Sequence, residues 1–138
     1  MFMDASVILA NLLEETEASS IREGLSEEIE IATSAIAMFE ASTRLAVIRK
    51  STIDEAYEVV LAFVENARVS IVSIDANVGR QAHHCASRYH HMTGHAARLN
   101  MGDCFAYAAA RTSGLKLAYK GNDFIHTDID GVRFGPSN

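Results

Sequence analysis

The chain opens Met1-Phe2-Met3-Asp4-Ala5-Ser6-Val7-Ile8-Leu9-Ala10, and the order of those residues decides the fold. Three apolar residues stop at an acid, which predicts a short buried strand ending at Asp4. A helical segment follows from about Ser6, with Val7, Leu9, Ala10, Leu12 and Leu13 apolar. Working outward, Ala18 to Leu25 predicts a second helix and the alternation Ile29-Glu30-Ile31-Ala32 a strand. Thr33 or Ser34 can cap a helix reaching about Lys50, with Ile36, Phe39, Thr43 and Val47 at helical spacing. Thr52 opens another, with Asp54 and Glu55 in its first turn. Val69 to Ile74 is a strong strand signal, and Asp75 caps a helix through about Tyr89. His90 to Leu99 looks like a loop, and Gly102-Asp103 opens a helix through Arg111. Leu115 to Tyr119 is a further strand, broken by Lys120-Gly121-Asn122-Asp123, and a weak last strand covers Gly131 to Phe134. Strands alternating with helices predict one α/β domain over residues 1–138, a mainly parallel central sheet flanked by helices.

Composition agrees with a single packed domain. The 138 residues are 49% hydrophobic, enough for one core and short of two domains. No apolar run is long enough to span a bilayer, and Asp4 follows the opening Met-Phe-Met at once, so no secretory signal is read there. A cytoplasmic protein with no membrane attachment is expected. Cys85 and Cys104 form no CxxC pair and are expected as free thiols. There are no internal repeats, no Walker loop and no dinucleotide fingerprint.

The net charge of -6 argues, on its face, against a nucleic-acid partner, because phosphate binding favours a basic surface. Two readings of the acidic excess stand. Glu14-Glu15, Glu23 and Glu27-Glu28 fit solvated helix faces. Other acids fit a pocket for divalent cations, where bound metal reverses the local sign.

That second reading has particular residues behind it. In an open parallel sheet, ligands bind beyond the carboxyl ends of the strands. Asp4 directly follows the first strand, and Asp123 lies just past the strand ending at Tyr119. Asp103 falls at a helix N-terminus, where the dipole favours an anion. Glu40 lies beside Phe39 at the edge of an apolar helix stripe. Each alone also reads as a turn former or cap; four together in one pocket would repel one another unless protonated or bridged by cations. Mg²⁺, with Mn²⁺ as a substitute, suits such hard oxygen donors.

Here a resemblance enters. Met3-Asp4-Ala5-Ser6-Val7, Ala37-Met38-Phe39-Glu40-Ala41, the stretch Leu99-Asn100-Met101-Gly102-Asp103-Cys104-Phe105-Ala106-Tyr107-Ala108, and Lys120-Gly121-Asn122-Asp123-Phe124 with Thr127-Asp128-Ile129 occur in an order that resembles the VapC branch of the PIN-domain ribonucleases. The resemblance covers essentially the whole chain. It implies a PIN-like fold, metal-dependent RNA cleavage, the role of toxin in a toxin–antitoxin pair, a small VapB-type antitoxin and a homodimer. It also implies that Asp4, Glu40, Asp103 and Asp123 are the catalytic metal ligands.

Around that quartet, Ser6 can hydrogen-bond Asp4 or cap the first helix. Asn122 can bind a water or a carboxylate, or only form a turn. Asp128 is a fifth acid, a further ligand or a loop anchor. Arg88 and Arg98, with His83, His84, His90, His91 and His95, can flank a cleft and meet RNA phosphate, or form a solvated loop. A zinc site among those histidines is disfavoured, because Thr93-Gly94 interrupts a helix between His91 and His95 and no cysteine pair completes a tetrahedral set. Leu9, Leu12, Leu13, Ile21 and Leu25 offer one wall for a partner helix, or simply core. The rival functions are a metal-dependent DNA nuclease or phosphatase, and a non-catalytic magnesium-binding signalling domain of the receiver type. An aspartyl-nucleophile phosphatase would want a second acid where Ser6 stands, and a receiver would want paired acids at its first strand, where Asp4 is alone.

Overall fold

A computed structural model describes residues 1–135. Its five strands are β1 (Phe2–Met3), β2 (Ala32–Ser34), β3 (Ser70–Val72), β4 (Leu117–Lys120) and β5 (Gly131–Phe134). They form one sheet in the order β3-β2-β1-β4-β5, and every pairing is parallel. The six helices are α1 (Ala5–Leu12), α2 (Ala18–Ser26), α3 (Ala35–Arg49), α4 (Ile53–Asn66), α5 (Ala76–Tyr89) and α6 (Met101–Ser113).

Side chains alternate across a strand, and this separates the core into two layers. Met1, Met3 and Ala118 pack on one face with Val7, Ile8, Ile21, Leu45 and Val60, from the helices α1 to α4. Phe2, Leu117 and Tyr119 point the other way and pack against Val78, Cys85, Tyr89, Leu99 and Cys104, from α5, α6 and the segment between them. Both cysteines are free and buried.

Several expectations need correction: β3 is the shorter Ser70–Val72, and β4 runs Leu117–Lys120, with Lys120 inside the strand. The second strand is Ala32–Ser34, not Ile29–Ala32: alternation alone picks Ile29, but that side chain is fully exposed between Glu28 and Glu30. The strand starts where Phe2 of β1 takes Ala32 as its partner. The stripe Ile36, Phe39, Thr43, Val47 does not form the inner face of α3. Phe39 and Val47 are 65% and 78% exposed, and the buried face is Ala37, Met38, Ala41, Ser42, Leu45 and Ala46. Small residues let α3 lie close against α1 and α4, so the larger ones are left outside. Finally, α6 is opened by Asn100 rather than at Gly102-Asp103. The Asn100 side chain accepts from the Asp103 amide at 2.9 Å, and the Asp103 carboxylate accepts from the Asn100 amide at 3.1 Å, a closed capping box.

Strand ends are sharp where the sequence places a cap. Asp4 caps α1 by accepting from the Ser6 amide at 3.1 Å. Ser34 ends β2 and caps α3 through the Ala37 amide, while Thr33 donates to the Met3 carbonyl and ties β2 to β1. Asp75 caps α5. Each sheet-to-helix junction therefore has almost no loop.

Candidate functional site

Those tight junctions bring three acids to the carboxyl edge of the sheet. Asp4 leaves β1, Glu40 stands on α3 just past β2, and Asp123 lies in the loop that leaves β4. Asp103 comes from above, in the first turn of α6. Asp4 and Asp103 are buried, Glu40 is half-buried and Asp123 is exposed.

The electrostatics link the four acids, since the other three each raise Asp103. Burial pushes the Asp103 carboxyl up to about 7, against the pull of its bond from the Asn100 amide, and the charges of Asp123, Asp4 and Glu40 push it the same way as burial. Glu40 is raised first by burial and then by the Asp4 charge, with Arg44 opposing. Asp4 is raised by burial, against the hydrogen bonds from Ser6. Burial and like charge act together here. The compensation is thin: Arg44 approaches Glu40 at 3.8 Å and is itself half exposed. Lys120, at the end of β4, is turned away and held by Glu15 and Glu17.

Ser6 hydrogen-bonds Asp4 and does not cap the first helix, whose cap is Asp4 itself. Its amide and its hydroxyl both donate to Asp4 Oδ2, and the hydroxyl accepts from the Lys120 amide at 3.0 Å. The carboxylate of Asp4 is thus fixed to both β1 and β4.

Gly102 has a role the sequence does not announce. A Cβ at this position would fall 1.5 Å from Glu40 Oε1. The missing side chain is what lets Glu40 reach across to α6 beside Asp103. A glycine between a cap and an acid in a helical first turn is the one signal that could have pointed to it.

Other expected site residues are differently employed. Asn122 Oδ1 accepts from Arg133, which also donates to the Gly121 carbonyl. Asp128 is bound by Tyr89, Tyr107, Arg88 and Arg111, and none of the four acids is among its partners. Arg88 is paired with Asp128 and lies over the Tyr89 ring, so little of its charge is free for phosphate. Arg98 is exposed in a left-handed backbone conformation, with no side-chain hydrogen bond or ion pair among the described residues. The histidines serve local structure: ring nitrogens of His83, His90 and His95 meet neighbouring backbone groups, and His90 stacks on His91 at 4.2 Å.

The donor set fits a hard divalent cation. Four carboxylates converge with one weak cationic partner, and their mutual repulsion is what a bound cation would relieve. Among the described residues, no three His, Cys, Asp or Glu side chains stand close enough to grip an ion as they are.

Comparison with known proteins gives a consistent set of likenesses. The family model described as PIN domain matches residues 1–130. A VapC ribonuclease of Rhizobium meliloti is 43% identical over 139 residues, covering 93% of this chain and 98% of that protein. Among solved structures, Mycobacterium tuberculosis VapC20, described as a sarcin–ricin loop cleaving toxin, has a TM-score of 0.71 at 19% identity, covering 96% of this chain and 98% of that one. A chain of VapBC2 from Rickettsia felis, bound to a DNA fragment from their promoter, has a TM-score of 0.72 at 14% identity, covering 97% and 98%.

Proposed function

The chain belongs to the PIN-domain family, and from that premise we propose that it is a divalent-metal-dependent endoribonuclease acting as the toxin of a toxin–antitoxin pair. The observation that carries the reading is the convergence of Asp4, Glu40, Asp103 and Asp123 at the carboxyl edge of the sheet with so little positive charge beside them. The VapC ribonuclease relative supports RNA as the substrate.

Asp4, Glu40, Asp103 and Asp123 would hold Mg²⁺ or Mn²⁺. The bound ion would supply Lewis acidity, easing deprotonation of a water and stabilising charge on the leaving oxygen. Ser6 orients Asp4 by donating twice to one oxygen. The capping box orients Asp103. Glu40, half-buried at the rim with its proton affinity raised, would accept a proton at a carboxylate oxygen.

A small VapB-type antitoxin is the proposed partner, supported by the likeness to the VapBC2 chain. The expected leucine wall needs revision: Leu9, Ile21 and Leu25 are core. The open apolar groove nearby, about 290 Å³, runs past Leu25, Ile31, Phe63 and Val69 and suits a partner helix. The outward side chains Phe39 and Val47 of α3 give apolar surface that a homodimer would cover. No helix is long and apolar enough to cross a membrane among the described residues.

Matched RNA and DNA oligonucleotides, each with Mg²⁺, Mn²⁺ or a chelator, test the function. Metal-dependent cutting inside the RNA and not the DNA is expected. Cutting of DNA alone, or of neither with either metal, would overturn the reading.

Substrate contact gives a further expected outcome. Arg98→Gln should lower the slope of log affinity against log salt by about one phosphate contact, while Arg88→Gln should change it less, because Asp128 already neutralises Arg88. Binding of a non-cleavable RNA across a salt series measures both, and equal slopes for Arg98→Gln and the unsubstituted protein would remove Arg98 from the RNA path.

A further inference from the structure

The loop bearing Asp123 runs from Gly121 to Asp130, between β4 and β5, with no regular structure. Left to itself, a segment of that kind would scatter the position of any side chain it carries. Two anchors fasten it to its own strands. Phe124 is buried edge-on against Tyr119 of β4, with ring centroids 5.1 Å apart. Arg133 of β5 donates to the Gly121 carbonyl and the Asn122 side chain, each at 2.8 Å.

A third anchor differs in kind, because it reaches the helices. Asp128 Oδ1 accepts from the Tyr107 and Tyr89 hydroxyls, and the Tyr89 hydroxyl in turn accepts from the Asp128 amide at 3.2 Å. Asp128 Oδ2 meets Arg88 at 3.2 Å and Arg111 at 3.4 Å. Tyr107 and Arg111 lie one and two turns beyond Asp103 on the same helix, at i+4 and i+8, and so share a face with it. The helix that presents Asp103 to the pocket therefore also holds Asp128.

We propose that Asp128 is a positioning residue, clamping the Asp123 loop onto α6 so that Asp123 is held at a fixed place against Asp103. The clamp acts through the loop and touches neither metal nor substrate. The inference rests on the metal-site reading above. Phe124 and Arg133 fix Asp123 relative to the sheet; Asp128, with its bonds to α5 and α6, fixes it relative to the other half of the site.

Calorimetric titration of the metal-free protein with Mn²⁺ tests the clamp, with cleavage measured across a Mn²⁺ series alongside. Asp128→Ala is expected to weaken Mn²⁺ binding about tenfold, as loss of an outer-shell support commonly does. It should also raise the Mn²⁺ concentration for half-maximal cleavage by a similar factor, while the rate at saturating Mn²⁺ stays near that of the unsubstituted protein. Tyr107→Phe, which deletes one hydroxyl and little volume, should shift both values the same way by less, and stands in if Asp128→Ala does not fold. Mn²⁺ affinity unchanged in both variants, with only the melting temperature lowered, would make the cluster a plain structural tie and overturn the proposal. If the unsubstituted protein binds no Mn²⁺, the metal reading fails and the clamp's role falls with it.

Discussion

Asp103→Asn is expected to abolish RNA cleavage, by at least about a thousandfold, and at the same time to raise the melting temperature of the metal-free protein at pH 8 and much less at pH 5. The loss of activity follows because an amide is a poor ligand for Mg²⁺ and the quartet loses the one carboxylate that α6 supplies. The gain in stability follows from burial and from the charges of Asp123, Asp4 and Glu40, which together place the Asp103 carboxyl at about 7. In the unfolded chain the same group titrates near ~3.9. Between those values the folded protein holds a proton that the unfolded chain has released, so the stability contributed by this group is fully present below the unfolded value. It is lost as pH rises through about 7.

At pH 5 aspartic acid and asparagine are both neutral in the folded state and of one size, and both can accept from the Asn100 amide, so the difference is only the smaller part that comes from ionisation of the aspartate in the unfolded chain. At pH 8 the native residue is charged among three other carboxylates and the asparagine is not. The gap between about 7 and the ordinary value caps the effect at roughly 4 kcal/mol, enough to move the melting temperature by several degrees. Scanning calorimetry of both proteins in chelator at the two pH values is the measurement. A melting-temperature difference that does not depend on pH would show that Asp103 is not the group under strain, and cleavage near the unsubstituted rate would remove it from the site.

How much of this was legible in the sequence depended on whether the signal was local. Asp4 stops a strand and caps a helix, and Asp75 caps a helix three residues beyond a strand that ends at Val72; both caps were readable because the cap and its target are adjacent. Gly131–Phe134 was found at its true limits. The strand at Ala32–Ser34 was displaced, because its limits are set by Phe2, 30 positions away, rather than by alternation around Ile29. The inner face of α3 was misread because hydrophobic size was taken for burial, whereas close helix contact selects Ala37, Ala41 and Ala46 and expels Phe39 and Val47.

The four acids could be named from strand-end position and family resemblance. That they would meet at the carboxyl edge was expected from the parallel sheet, whereas the approach of Glu40 to Gly102 of α6 was not. Likewise nothing near Arg88 announces that Asp128, 40 residues later, will take up its charge. The sequence offered Arg88 and Arg98 as equals; tertiary pairing makes them different.

Gly102→Ala should separate stability from function more sharply than any other single change. The residue is in the first turn of α6, where alanine is favoured over glycine by about 0.5–1 kcal/mol. The three nearest atoms that the added Cβ would strike are Oε1, Cδ and Oε2 of Glu40, at 1.5, 2.3 and 2.8 Å. These are the far end of a flexible side chain, so the fold yields by swinging Glu40 outward, toward Arg44 and solvent. The expected result is a protein at least as stable as the original, with cleavage lowered by about a hundredfold or more, as for loss of a proton-accepting carboxylate. The double variant gives the decisive comparison. If alanine acts by expelling Glu40, then Glu40→Gln should cost much in the native background and almost nothing once Gly102→Ala is present. Full additivity of the two losses would mean that alanine damages the site by another route, and undiminished cleavage by Gly102→Ala would mean that Glu40 does not need to stand beside α6 at all.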